Sequence, residues 1–257
     1  MSFALITGAS RGIGRAIALE FAARGKDVLL VSRDGERLRQ TCDEIQQLHK
    51  IKAHYLVCDL AADDAAAHVF TWCQSNHYSV DVLVNNAGYG LSGRFEQHGV
   101  EQHTDMLHVN ILTPVQLIHL FLPILKQQDR GYILNIASTS AYQATPFLGL
   151  YAASKAFLVL FSRSLHIELR SSTVSVTCIS PGSTDTAFND RAMIGKKARD
   201  MAKKVNMQPG KVAAVAVDAM YKGKTEVVIG LLNKVGVFFA WLLPKKLVEN
   251  AAARIYQ

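Results

Sequence analysis

The sequence predicts an α/β fold, a doubly wound, seven-stranded parallel sheet with helices on both faces. Three observations carry this. Short apolar runs of strand length alternate with helical patterns through the first 230 residues, at about 3–7, 27–32, 52–58, 80–85, 131–137, 173–179 and 225–229. Strands apolar on both faces and separated by helices must be covered on both sides, which favours a parallel sheet. The third observation is a glycine-rich turn directly after the first apolar run. No linker-like stretch divides the 257 residues, so the reading is one domain over 1–257.

That turn is Thr7-Gly-Ala-Ser-Arg-Gly-Ile-Gly14, between the apolar run Phe3–Ile6 and a helical pattern beginning at Ile13. A strand that turns sharply into a helix aims free N–H groups and a positive dipole end at one point, a phosphate site. Glycines at 8, 12 and 14 allow close backbone approach. The spacing is G-x-x-x-G-x-G and not the commoner G-x-G-x-x-G. Thr7, Gly8, Ser10, Arg11, Gly12, Ile13 and Gly14 are the candidate cofactor-binding residues here.

The second strand ends Val31-Ser32-Arg33-Asp34. An acid at this place would hold an adenosine 2′-hydroxyl, whereas arginine suits a 2′-phosphate. Arg33 and Arg11 therefore favour NADP, with Ser32 beside them; Asp34 and Glu36 keep NAD as the alternative. Strand three ends at Asp59-Leu60 and strand four at Asn85-Asn86-Ala87-Gly88. Ligands of open α/β sheets gather at the carboxyl ends of strands, so these segments should line the same crevice.

The helix expected around 101–125 contains Pro114, which cannot donate to the carbonyl of Asn110 four residues back. A kink is expected there, baring a carbonyl that can hold a water. Strand five closes on Asn135-Ile-Ala-Ser138, and thirteen residues later comes Tyr151-Ala-Ala-Ser-Lys155. On a helix Tyr151 and Lys155 share a face. Chance produces such pairs; the weight comes from their position after a serine that ends a strand.

Together these residues resemble the short-chain dehydrogenase/reductase family over nearly the whole chain. The matching segments are Thr7–Gly14, Asp59, Asn85–Gly88, Asn110, Ser138, Tyr151, Lys155 and Pro181-Gly-Ser-Thr-Asp-Thr186. The resemblance implies a Rossmann-type sheet and an NADP-dependent oxidoreductase of alcohols or carbonyls. It assigns Asn110, Ser138, Tyr151 and Lys155 to catalysis. Pro181, Gly182, Thr184 and Thr186 are assigned to the nicotinamide end, and Lys155 to the nicotinamide ribose. The chemistry agrees: reduction leaves an alkoxide that must be protonated, and a tyrosine near its reference pKa of about 10 is a weak acid at neutral pH. A lysine cation close by would bring it nearer the working range. Ser138 would steady the substrate oxygen. A water held by Asn110 would pass protons to Lys155.

The formal net charge of +7 is unevenly placed. Residues 1–186 hold 15 Lys and Arg against 16 Asp and Glu, and residues 187–257 hold 13 against 5. The first part of that tail, 186–211, corresponds to the family's substrate flap, and 230–257 is a C-terminal extension. The basic tail lacks the interleaved aromatics that stack on bases, so nucleic acid is not expected. The run Val235–Leu243 has nine apolar residues, too few for the roughly 20 that span a bilayer. It reads as a packed helix or as a lid over a hydrophobic, acyl-like or steroid-like substrate. In the latter case Phe238 and Trp241 would be cover residues, with contact to a membrane surface as an alternative. A weaker resemblance to the 3-ketoacyl and ketosphingoid reductases points the same way. Non-catalytic NADP-binding regulation is the rival reading, disfavoured by the intact Ser138, Tyr151 and Lys155.

Four scattered cysteines without a C-x-x-C pair read as free thiols in a reducing cytoplasm. Only Met1-Ser2 precede the first strand, so no targeting segment is expected. Nine histidines show no metal-ligand spacing, and no metal is expected. Two helices, around 109–125 and 152–169, are apolar nearly all round and so should be buried on every side. The family pairs such helices across a dimer, which implies a homodimer or homotetramer.

Overall fold

The computed structural model describes residues 2–185 and 206–256. Seven parallel strands form one sheet: β1 (Phe3–Thr7), β2 (Asp27–Ser32), β3 (Ala53–Val57), β4 (Val80–Asn85), β5 (Gly131–Ile136), β6 (Val174–Ser180) and β7 (Glu226–Val228), in the order β3-β2-β1-β4-β5-β6-β7. The predicted Rossmann-type α/β class is the observed one. After β3 the chain returns to the far side of β1 to lay down β4. The strand order therefore reverses between β1 and β4, and there the connecting segments diverge to leave a crevice.

The alternation within each strand explains the two layers. In β1, Ala4 and Ile6 join a core with Ile17, Phe21, Leu38 and Val212, while Phe3 and Leu5 join a second with Val69, Leu117, Phe121 and Leu165. The first core lies under α1 (Gly12–Ala23), α2 (Gly35–His49) and α7 (Pro209–Tyr221); the second lies under α3 (Ala65–Ser75), α5 (Thr113–Lys126) and α6 (Gly149–Glu168). Phe21 and Phe121 are fully buried, each stabilising the fold by about 1.5–3 kcal/mol.

The helix expected around 101–125 is instead three pieces. α4 (Val100–Leu107) runs into a π-helical turn at His108–Leu112, and α5 then begins at Thr113 with Pro114 in its first turn. The Thr113 N–H bonds the His108 carbonyl, five residues back. A proline that cannot donate to Asn110 is accommodated by widening one turn. A second proline, Pro123, sits inside α5 on an exposed position. The two apolar helices also depart from burial on every side: Leu112, Phe157, Leu160 and Ile167 are exposed in this chain. Two C-terminal helices, α8 (Leu231–Leu242) and α9 (Lys245–Tyr256), follow β7. All four cysteines are free and buried.

Candidate active site

The carboxyl ends of β1 and β4 are stitched together by side chains. Thr7 Oγ1 donates to the Val84 carbonyl at 3.2 Å and accepts from the N–H groups of Asn86 and Ala87 at 3.0 and 3.1 Å. The Asn86 amide donates to the carbonyls of Thr7 and Gly8 at 2.9 and 3.2 Å. Thr7 and Asn86 thus spend their side chains on holding the turn. Gly8 and Gly12 have φ of +67° and +58°, the left-handed region that favours glycine. A Cβ at Gly14 would overlap both the Asn86 amide and the Gly8 carbonyl, so only glycine lets α1 start this close to the sheet. No side chain caps α1, whose N-cap is Arg11, and its first-turn N–H groups therefore face the crevice without a side-chain acceptor. A phosphate cradle requires such donors, and a pyrophosphate fits them. Ile13 packs partly buried against the core below, and Ser10 is buried.

At the end of β2, Ser32 Oγ donates to Ser10 Oγ at 2.9 Å. Arg11 pairs with Asp34 at 3.0 Å, and Arg33 with Asp59 at 3.4 Å. Asp34 also caps α2, accepting from Arg37 N–H at 3.2 Å. Both arginines are about half exposed, at 49% and 53%, so each can leave its carboxylate at small cost. Asp59 Oδ1 accepts from Ala61 N–H, and the Leu60 carbonyl accepts from Thr113 Oγ1 at 2.7 Å, fixing the β3 end against the start of α5.

Deeper in the crevice stand Tyr151 and Lys155, both buried on the first turns of α6. Lys155 Nζ donates to the Ile136 carbonyl at 2.9 Å and lies 5.8 Å from the Tyr151 ring centroid. Burial pushes the Lys155 ammonium down to about 8, because desolvation penalises its charged form. Gly88 presses on this group: a Cβ there would come within 3.0 Å of Lys155 Nζ and 3.1 Å of Asn110 Oδ1. Asn110 is fully buried, and both N–H groups of its side-chain amide are bonded. It donates to the Tyr89 carbonyl and to Ser154 Oγ, both at 2.9 Å, and accepts from Tyr89 N–H at 3.1 Å. Ser154 in turn donates to the Tyr151 carbonyl at 2.7 Å. Asn110, Ser154 and Tyr151 are thereby one hydrogen-bonded unit.

Ser138 caps the short 3-10 turn Thr139–Tyr142, its Oγ accepting from Ser140 N–H at 3.2 Å, which leaves its own proton to donate. The turn is tied to the next strand end, since Thr139 N–H bonds the Pro181 carbonyl at 3.0 Å. Gly182 lies against Asn233 of α8, where a Cβ would overlap that amide. Thr184 Oγ1 donates to the Gly182 carbonyl at 3.1 Å, and Thr184 pairs with Met207. Thr186 and the flap through residue 205 lie outside the described residues.

Three supports were not singled out from sequence. Ser154 and Tyr89 lock Asn110; Ser154 was visible only as the residue before Lys155. A buried chain runs Asn85 to Asn135 to Ser162 beneath the crevice, at 2.9 and 2.8 Å. Asn85 thus faces the interior. Tyr142 donates to Glu226 at 2.6 Å, joining the Ser138 turn to β7. Among the described residues no group of three or more His, Cys, Asp or Glu side chains is placed to hold a metal.

A glycine turn, a strand-end serine and a Tyr–Lys pair on the following helix, set around one crevice of a seven-stranded parallel sheet, define a short-chain dehydrogenase site, and the comparisons agree. The short chain dehydrogenase family model matches residues 2–197, and the chain belongs to this family of oxidoreductases. An uncharacterised oxidoreductase of Staphylococcus epidermidis is 33% identical over 197 residues, covering 76% of this chain and 84% of the relative. A very-long-chain 3-oxoacyl-CoA reductase of Anas platyrhynchos is 35% identical over 185 residues, 70% of this chain but only 59% of the duck protein. Among solved structures, a 7β-hydroxysteroid dehydrogenase superposes with a TM-score of 0.87 at 25% identity, covering 98% of this chain and 96% of that one. A short-chain dehydrogenase from Sphingobium yanoikuyae in complex with NADPH does so with 0.82 at 28% identity, covering 90% and 88%.

Proposed function

We propose that this chain is an NADP(H)-dependent reductase of ketones carried on hydrophobic, acyl-like or steroid-like molecules. The observation that carries the reading is the buried Lys155 beneath Tyr151, backed by Gly88 and held by Ile136. When bound, the nicotinamide supplies a hydride to the carbonyl carbon. Tyr151 gives its phenolic proton to the carbonyl oxygen, and Ser138 donates a hydrogen bond to that oxygen as charge develops. Lys155 keeps a cation beside the phenol and holds the ribose of the cofactor. Asn110, with both side-chain N–H groups bonded, acts through its backbone, positioning a water that returns protons toward Lys155. The glycine turn and the open first turn of α1 hold the pyrophosphate; Arg11 and Arg33, exchanging their carboxylates, hold the 2′-phosphate. Relatives named for very-long-chain 3-oxoacyl-CoA and hydroxysteroid substrates support the hydrophobic class, and structures bound to NADPH and to 5-hydroxy-NADP support the cofactor. The exposed apolar residues Leu112, in the π-turn before α5, and Phe157, Leu160 and Ile167 on α6 support a homo-oligomer.

Two results are expected. With a homologous series of ketones, kcat/KM rises roughly fourfold per added methylene, because each buried CH₂ contributes about 0.8 kcal/mol; a flat series would remove the hydrophobic class. Reduction also falls as pH rises through about 8, the value to which burial brings Lys155. The working form is the cation, populated below that pH and lost above it. A pH–rate profile flat to pH 10 would show that the Lys155 charge is not used.

A further inference from the structure

α8 is a surface helix turned inside out. Its inner stripe is narrow: Asn233, Val237 and Ala240 are the positions at least partly buried, and Asn233 is fastened to the Ile229 carbonyl at 2.7 Å. The opposite stripe, Leu231, Val235, Phe238 and Leu242, recurs at helical spacing and is exposed throughout, with Leu231 at 77%. A face directed at water should be polar, and this one carries no polar side chain. Trp241, 72% exposed, stands on its flank. Lys234 lies on the same flank, and Lys245 and Lys246 follow the helix, all exposed. From Gly230 to Val248 there are three lysines and no acid.

We infer that the outer face of α8 docks on the surface of an anionic phospholipid bilayer. Twelve residues cannot span a bilayer, but an apolar stripe flanked by a tryptophan and cations is what lies in the headgroup layer. Charge decides against a second copy of the chain as occupant. A two-fold contact through this face would set the lysine-rich helix ends together with no acid between Gly230 and Val248 to neutralise them, whereas lipid phosphates and carboxylates do so. The inner stripe meets Gly182, and α8 also packs on the turn that carries Ser138. Docking therefore sets the crevice mouth at the headgroup layer, where a membrane-dissolved ketone would enter. That last consequence rests on the proposed function; the docking does not.

The test is flotation of the full chain with vesicles of phosphatidylcholine alone and of phosphatidylcholine with one quarter phosphatidylserine. The wild type is expected to float with the serine-containing vesicles and to release as salt is raised. The double variant Lys245→Ala/Lys246→Ala should bind them about 30-fold more weakly, from roughly fivefold per cation. Leu231→Ser/Leu242→Ser should not float at all, while both variants keep the wild-type rate on a short, water-soluble ketone. Failure of the wild type to float at low salt overturns the inference. So does a wild-type dimer, seen by sizing chromatography, that the Leu231→Ser/Leu242→Ser variant splits into monomers. Flotation without any NADPH-dependent turnover would sink the reductase reading and leave the docking intact.

Discussion

Tyr151→Phe is expected to lower turnover by about 10²–10⁴-fold while leaving cofactor affinity within a few-fold. The size follows from what is removed. The phenol stands beside Lys155, one helical turn away on α6, and phenylalanine keeps the ring packed while deleting the proton. Tyr151 is largely buried, so the ring itself contributes to the core of the site, and the smaller change isolates chemistry from packing. Paired measurements decide it: steady-state kcat for ketone reduction, and cofactor binding by fluorescence quenching. A variant with near-wild-type turnover would remove Tyr151 from the reaction. A variant that loses cofactor binding would make it a structural residue.

Arg33→Ala is expected to weaken NADPH by about 10- to 150-fold and NADH hardly at all. A hydrogen bond to a charged group contributes roughly 1.5–3 kcal/mol, and only NADPH carries the 2′-phosphate. Arg33 contacts Asp59 at 3.4 Å with both side chains about half exposed, an ion pair weak enough to exchange for a dianion. Titrating both cofactors against wild type and variant checks this. Equal losses for NADH and NADPH would mean that Arg33 reads something other than the phosphate.

Much of the architecture is legible because strand burial writes itself into composition. β1 reads as apolar throughout since Ala4 and Ile6 face one core and Phe3 and Leu5 the other. Edges read less well: the run 225–229 is observed as three half-buried residues, Glu226–Val228, because an edge strand is covered on one side only. The linear spacing of the site was also legible, since Tyr151 and Lys155 are one helical turn apart and Ser138 ends a strand. What stayed hidden depends on contacts between distant parts of the chain. The grip of Asn86 on Thr7 and Gly8 spans 79 and 78 residues, and that of Asn110 on Ser154 spans 44. No periodicity announces either. Pro114 marked where a helix must yield, but whether it kinks or widens depends on what packs around it, and the answer is a π-turn. In α8 the sequence is apolar nearly all round, so it could not say which stripe docks. Phe238 and Trp241, readable from sequence either as part of a packed helix or as cover for a substrate, are exposed in this chain.

The claim at the centre is that the crevice between β1 and β4 delivers a hydride from NADPH to a ketone while Tyr151 supplies the proton. The most direct measurement is isotopic. The wild type is incubated with a hydrophobic ketone and NADPH deuterated at the transferable position of nicotinamide C4, and the product is examined by mass spectrometry. The expected product is a secondary alcohol with one deuterium on the carbinol carbon, formed by the wild type and at least a hundredfold more slowly by Tyr151→Phe. Alcohol without deuterium, or no cofactor-dependent alcohol from any ketone in the series, would contradict the assignment.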